Sequence, residues 1–433
     1  MTADKDRPAK FYWLPPGARP PHPIPRQQET VFLLVGMTIL FSGYDLNVFG
    51  MALPQIQREL NIPENMAAVT ISYFRLAALA ALFVAPLADI VGRRRLLLIT
   101  VSGEALATIA TAFAQDYSQF VTFQILARIF GYSEEMLCFV VIAEVIDRRV
   151  RGWSIGTLGA INATGAGLAA VVFGLVNFLP YGWRSLYMLG GGALLILAFY
   201  RRLLPETERF QLHQKQLGVV TSRTAQAFAM VRALFTEHPR RLGAMLVFMF
   251  AFGFAMGPAS VMTSKFLQTT HGYTPGQVSI LFLLGGIVSV IGNVAAGRVS
   301  DRVGRKRMLF ITTLIGGAGF ALFYSGLDGW GLPLFWIVAL FGFLSGEALA
   351  AGYPSEIFPT AYRATATTLR YVATILGGAL SLWLEGTFYD WFGAHGPAIM
   401  LPLIAIPVAL VAVGFLPETA QRRLEDITGE DLT

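Results

Sequence analysis

Residues 89–100 read DIVGRRRLLLIT, and residues 301–312 read DRVGRKRMLFIT. The two stretches lie 212 positions apart, and the same offset recurs. Glu144 and Arg151 of AEVIDRRVRG (143–152) are matched by Glu356 and Arg363 of SEIFPTAYRA (355–364). LPET stands at both 204–207 and 416–419. Three motifs at one offset are hard to obtain by chance. The simplest account is a duplicated unit, two halves in parallel repeat.

Composition says what the halves are made of. The chain has 433 residues, is 55% hydrophobic and only 14% charged, with a mean hydropathy of +0.57. A soluble domain carries about 25% charge, so this is an integral membrane protein. Apolar runs of about 20 residues, each long enough to cross the hydrocarbon as a helix, fall near 30–54, 66–89, 95–115, 118–146, 152–178, 183–204, 241–268, 275–297, 308–327, 331–358, 363–389 and 395–416. The expected fold is therefore all-α, with twelve transmembrane helices in two pseudo-symmetric six-helix bundles at 30–204 and 241–416. Residues 205–240 form the polar linker. Within it Phe228, Val231 and Phe235 share one side, as in an amphipathic helix at a membrane surface. The Pro-rich residues 1–29 read as a disordered tail, and 417–433 as a second tail. No cleavable signal peptide is evident, because the first apolar run is too long for one.

The net charge of +6 does not indicate nucleic acid. Only Arg58, Arg184 and Lys265 fall on the face opposite the N-terminus, and Arg75, Arg128 and Arg370 fall inside runs. The other basic residues collect on one side, which the positive-inside rule assigns to the cytoplasm together with both termini. A multi-pass protein of the plasma membrane, the bacterial inner membrane, is expected. The single cysteine, Cys138, excludes an internal disulfide. The five histidines lie in tails, loops or span ends without metal-ligand spacing, and no nucleophile motif is present, so neither metal nor enzymatic chemistry is expected.

The charges inside the runs are costly and mark functional positions. Asp45 sits in FSGYDLNVFG (41–50), with no basic neighbour in sequence. At a rise of about 1.5 Å per residue it lies roughly 14 Å from the outer end of its run, at nearly the depth of Arg75, Arg128 and Glu104. Arg128 and Glu135 share one face of RIFGYSEE (128–135), two turns apart, and Glu134 is about 100° off that face. Glu347 lies at the repeat position of Glu135, and Arg370 supplies a positive charge in the second half. A carboxyl in low dielectric holds a proton more readily, and a nearby arginine opposes that. An acid and an arginine that separate and rejoin therefore form a minimal proton-coupling device. Asp45 is assigned to it, with Arg128 or Arg75 as partner and Glu135 as a second proton site. Its repeat position is Gly257, so the acid is not part of the duplicated scaffold.

The paired DxxGRRR and DRVGRKR motifs resemble the signature of the major facilitator superfamily. The Glu/Arg-Gly pattern after the fourth run, PSEIFPTAYRAT after the tenth, and the two PET sequences resemble its sugar-porter and organic-ion branches. The resemblance implies two bundles rocking around a central cavity, and a cytoplasmic gate built from Asp89, Gly92, Arg93, Glu144 and Arg151 and from Asp301, Gly304, Arg305, Glu356 and Arg363. These charges can form a latch between the bundles that opens in one state. The GYD of the first run is similar to the sugar–proton symporter motif, whose aspartate pairs with an arginine of the fourth span. That role is carried to Asp45 and Arg128.

The sugar site itself does not match. Gly159 stands where the family has a glutamine, and MFAFGFAMGPASVMT (249–263) lacks the amides of a sugar-binding seventh span. The drug-antiporter Gly-Pro pair is also missing, which favours uptake over efflux. Phe41, Tyr44, Phe250, Phe254 and Tyr371 are candidate cavity walls, and Arg128, Glu135, Glu347 and Arg370 candidate polar contacts. Buried arginines suit an anionic group bidentately. The expected function is proton-coupled symport of a small organic anion, an aromatic or aliphatic carboxylate, by a monomer in the lipid bilayer. The proton gradient is its energy source, and no cofactor is needed. An organic cation or zwitterion, a neutral solute, an antiporter and a transporter-like receptor remain open as alternatives.

Overall fold

The computed structural model describes residues 11, 19–84, 87–147, 149–202, 223–327 and 329–421. Its helices are α1 (Arg26–Glu59), α2 (Met66–Val84), α3 (Ala88–Val91), α4 (Arg93–Ala112), α5 (Tyr117–Val145), α6 (Arg151–Gly174), α7 (Trp183–Arg201), α8 (Arg223–Glu237), α9 (Pro239–Val261), α10 (Thr263–Thr270), α11 (Pro275–Val303), α12 (Arg305–Tyr324), α13 (Gly331–Ile357), α14 (Arg363–Phe392), α15 (His395–Met400) and α16 (Ala405–Gly414). Ten spans among the described residues are long and apolar enough to cross a membrane, counting His395–Gly414 as one. The remaining two of the twelve are α5 and α14, with 29 and 30 residues. Both have the length, and both carry the buried charges described below.

Two of the expected runs are interrupted. The seventh is divided at Met262, where one helix ends at Val261 and the next starts at Thr263, with the Met262 N–H still donating to Pro258 O at 3.0 Å. The last passes through a 3₁₀ turn at Leu401–Ile404 that contains Pro402. The first helix begins at Arg26, inside the segment expected to be a tail, and Phe11 and Ile24 of that segment are buried. Phe11 meets Trp153 edge-on at 5.5 Å, and its N–H donates to Glu29 Oε1 at 3.0 Å. In α8 the buried residue is Leu234, whereas Phe235 is exposed. The side chain of Phe228 lies outside the described residues.

The chain divides into two compact units, one drawn from residues 1–61, 77–219 and 275–279, the other from 62–76, 220–274 and 280–433. The same helix pairs pack in each. In the first, α1 lies against α6 and α4 against both α5 and α7. In the second, α9 lies against α14 and α12 against both α13 and α16. Small residues set the closest approaches. A Cβ on Gly165 of α6 would strike the carbonyl oxygen of Leu40, and one on Gly377 of α14 that of Phe250. These two glycines are again 212 positions apart. In an apolar solvent such backbone contact holds helices together by packing rather than by burial from water.

Candidate functional site

The repeated motifs fold alike in the two units. Gly92 and Gly304 take φ of 102° and 114°, a backbone region open mainly to glycine, and so let a new helix start immediately after each. Arg93 at the start of α4 pairs with Glu144 at the end of α5, Nη2 to Oε1 3.1 Å. Its repeat partner Arg305 pairs with Glu356. Arg94 donates to the carbonyl of Arg202 at 2.6 Å, and Lys306 to that of Gly414. Asp301 reaches Arg305 at 3.3 Å, and Arg363 Nε donates to Phe358 O at 3.3 Å. Arg151 is half-buried at the start of α6. The side chain of Asp89 lies outside the described residues. The Arg93–Glu144 and Arg305–Glu356 pairs each join helices of one unit. In the second unit these groups surround a cavity of about 530 Å³ with Arg305, Glu356 and Arg363 in its wall.

Glu418 of the second PET sequence caps this arrangement. Its Oε1 accepts from the backbone N–H groups of Arg305 (2.7 Å), Lys306 (3.4 Å), Thr419 (3.0 Å) and Ala420 (3.1 Å). Partial burial alone would raise this carboxyl, but the four donors outweigh it and hold the group below the ordinary glutamate range. A lowered folded-state value means stabilisation that is present near neutrality and lost as pH falls below the ordinary glutamate range. We therefore expect Glu418→Gln to melt slightly below wild type at pH 7, by about 0.5 kcal/mol in stability. The difference should shrink as the pH is lowered below the ordinary glutamate range. A gap that persists in acid would show that the side chain's shape, not its charge, is what α12 requires.

The first unit holds a layer of buried charge. Asp45 on α1, Glu104 on α4, and Arg128 and Glu134 on α5 are each at most 3% exposed, and Arg201 at the end of α7 is 1% exposed. Asp45 lies in the field of Arg128 and beside Thr108. Arg128 Nη2 donates to the backbone oxygen of Asp45 at 3.4 Å and to Gln124 Oε1 at 3.3 Å. Glu104 Oε2 accepts from Ser42 Oγ at 2.9 Å. Glu134 is paired with Arg201, accepts from Thr100, and stands 3.2 Å from Cys138 Sγ. Glu135 accepts from Asn162 Nδ2 at 3.0 Å. Of the candidate walls, Tyr44 is buried and Phe41 half-buried. The hydroxyl of Tyr44 donates to Leu186 O at 3.0 Å. Phe41 packs on Val101, Ala105, Leu194 and Ala198.

In the second unit Arg370 on α14 is 8% exposed. Its Nη1 lies 3.8 Å from Met249 Sδ, its Nε has no hydrogen-bond partner, and the charge of Glu347 on α13 acts on it. Glu347 itself is half-buried. Phe254 stacks on the exposed Phe250 at 6.3 Å, and Tyr371 is half-buried beside Arg370. The Arg75 guanidinium lies against Gly378 of α14, and in the first unit the charge of Arg128 acts on Asp45.

Two charged groups were missed in the sequence. Arg201 was counted with the cytoplasmic basic residues, yet it is buried with Glu134. Its repeat position is Val413, and a basic residue opposite an apolar twin is the signal that identifies it. The second is a cluster in which Glu64 pairs with Lys265 and meets His395 Nε2 at 3.0 Å. The Nδ1 of the same ring meets the fully buried Glu385 at 2.8 Å.

A duplicated all-helical scaffold with buried charges in its spans defines a multi-pass membrane transporter, and the comparisons with known proteins agree. A family model for the Major Facilitator Superfamily matches residues 35–346 and 244–431. The chain is 27% identical over 440 residues to the gallate transporter of Pseudomonas putida, covering 91% of this chain and 92% of that one. It is 25% identical over 400 residues to the cis,cis-muconate transport protein of Acinetobacter baylyi, covering 90% and 93%. Its fold is similar to the crystal structure of a D-xylose–proton symporter, with a TM-score of 0.74, 19% identity, and coverage of 91% of this chain and 99% of that one. The chain belongs to the Major Facilitator Superfamily, a family of transporters and not of enzymes.

Proposed function

We propose that this protein takes up a small organic anion, an aromatic or unsaturated carboxylate, together with protons. The observation that carries this reading is Arg370. A buried guanidinium whose Nη1 lies against a thioether and whose Nε has no hydrogen-bond partner among the described residues is suited to an anionic acceptor, because leaving such a group without one costs several kcal/mol. A carboxylate from the substrate supplies it bidentately. Relatives that transport gallate and cis,cis-muconate support the same chemical class. Asp45 and Arg128 are the proton-coupling pair, with Arg75 and Glu135 as neighbouring candidates. Glu347 tunes Arg370, and Phe254 with Phe250 forms an apolar wall.

The repeated charged motifs are the cytoplasmic gate. The distribution of basic residues supports cytoplasmic termini in a bacterial inner membrane, and the proposed working unit is a monomer. The domain boundaries are those of the repeat, with bundles at 30–204 and 241–416 joined by 205–240 and flanked by tails at 1–29 and 417–433.

The test is a thermal-shift screen of the purified protein with gallate, cis,cis-muconate, benzylamine and glucose. Carboxylates alone should stabilise it. Arg370→Ala should weaken their binding about 100-fold, the order of one lost charge-assisted bidentate contact. Stabilisation by the amine alone would overturn the anion reading.

A further inference from the structure

The layer in the first unit contains three fully buried carboxyls, Asp45, Glu104 and Glu134, and two buried guanidinium groups, Arg128 and Arg201. Glu134 is satisfied by Arg201, and Arg128 faces Asp45. Glu104 is left over. One of its oxygens accepts from Ser42 at 2.9 Å, and the other has no hydrogen-bond partner among the described residues. That second oxygen lies in a gap that only glycine leaves, since a Cβ on Gly131 would stand 2.9 Å from it.

The surroundings give it no counter-charge of its own. From α1 it is faced by Ser42 and Asp45, and from α5 by Glu134 and Arg128. On α7, Arg201 is already engaged by Glu134 and Cys138. An ionised Glu104 would make the layer formally −1, with an uncompensated charge in a medium where that costs several kcal/mol. A proton on Glu104 brings the layer to zero.

We propose that Glu104 is a proton-binding site, neutral at pH 7 in this conformation, and that it holds the transported proton while Asp45 stays in the field of Arg128. The carrier role rests on the proton-coupled reading above; the bound proton does not. Movement of α1 relative to α4 would take Ser42 and Asp45 away from Glu104 and let a base or water accept the proton. No covalent chemistry is involved, only transfer of one proton between a carboxyl oxygen and solvent.

The closing experiment uses infrared spectroscopy on the full chain in lipid, comparing wild type with Glu104→Gln and Asp45→Asn. Glutamine imitates the neutral acid, so this variant should melt like wild type. The wild type minus Glu104→Gln difference at pH 7 should show one protonated-carboxyl C=O band that shifts in D₂O, and Asp45→Asn should retain that band. A band lost with Asp45→Asn instead, or no band at all, overturns the proposal. In vesicles containing a trapped pH dye and supplied with gallate, Glu104→Gln should lose substrate-driven proton entry while exchange continues. Proton entry at the wild-type ratio in this variant overturns the carrier role alone. Gallate movement without protons in wild type overturns the proton-coupled reading and leaves the infrared result standing.

Discussion

Asp45→Asn is expected to equilibrate its substrate but not to concentrate it. In vesicles with an imposed proton gradient, wild type should accumulate substrate several-fold, whereas the variant should level off at equal concentrations inside and out. Substrate exchange across the same membrane should be spared. The reason is geometric. Asp45 is buried on α1 beside Thr108, with the Arg128 guanidinium supplying its field. Asparagine keeps the size and hydrogen-bonding capacity of the side chain and removes only its ability to gain and lose a proton. A purely structural Asp45–Arg128 contact would lower protein yield or melting temperature instead, with the ratio of accumulation to exchange unchanged. Wild-type accumulation by the variant would end the coupling role of this residue.

The second large effect is expected at Arg201. Its side chain is fully buried, paired with Glu134, and its Nη2 lies 3.1 Å from Cys138 Sγ. Arg201→Ala leaves the Glu134 carboxylate in the helix bundle with only Thr100 and Cys138 as hydrogen-bond partners. Removing one member of a buried pair costs about 3–5 kcal/mol, because the other is stranded. Replacing both by apolar residues of similar volume is often close to neutral. The double variant Arg201→Met/Glu134→Leu should therefore recover most of the melting temperature that the single variant loses. Thermal unfolding in detergent measures this directly. A single variant as stable as wild type would show that the pair contributes nothing to holding α5 and α7 together.

Much of the fold is legible in the sequence because the duplication is written in charged and glycine residues. The offset that joins Arg93 to Arg305 and Glu144 to Glu356 also describes their ion pairs. It relates Gly165 to Gly377 at the two close helix crossings as well. The breaks at Met262 and at Leu401–Ile404 are less legible. Hydropathy averages over a run and does not register where the helix within it is interrupted.

In the site, counting residues along a helix gives depth but not rotation. Depth put Arg75 level with Asp45, yet its guanidinium lies against Gly378. Rotation likewise sets that Phe41 packs against Val101, Ala105, Leu194 and Ala198 and that the Tyr44 hydroxyl donates to Leu186 O. Arg201 escaped because a basic residue at a span end reads as a topology signal. Only the comparison with Val413 across the repeat marks it as different. Lys265, His395 and Glu385 have no charged twins either, since their repeat positions are Leu53, Trp183 and Phe173. Charge without a twin is thus the best sequence guide to what is specific to this transporter rather than to its scaffold.

The central claim is that an organic anion and protons enter together. It is tested most directly in vesicles that contain only this protein and a trapped pH dye, at equal pH on both sides. Adding gallate outside should acidify the lumen as gallate enters. Asp45→Asn should abolish the acidification, and Arg370→Ala should abolish both movements. Gallate or cis,cis-muconate entering wild-type vesicles with no change in lumenal pH would contradict the account.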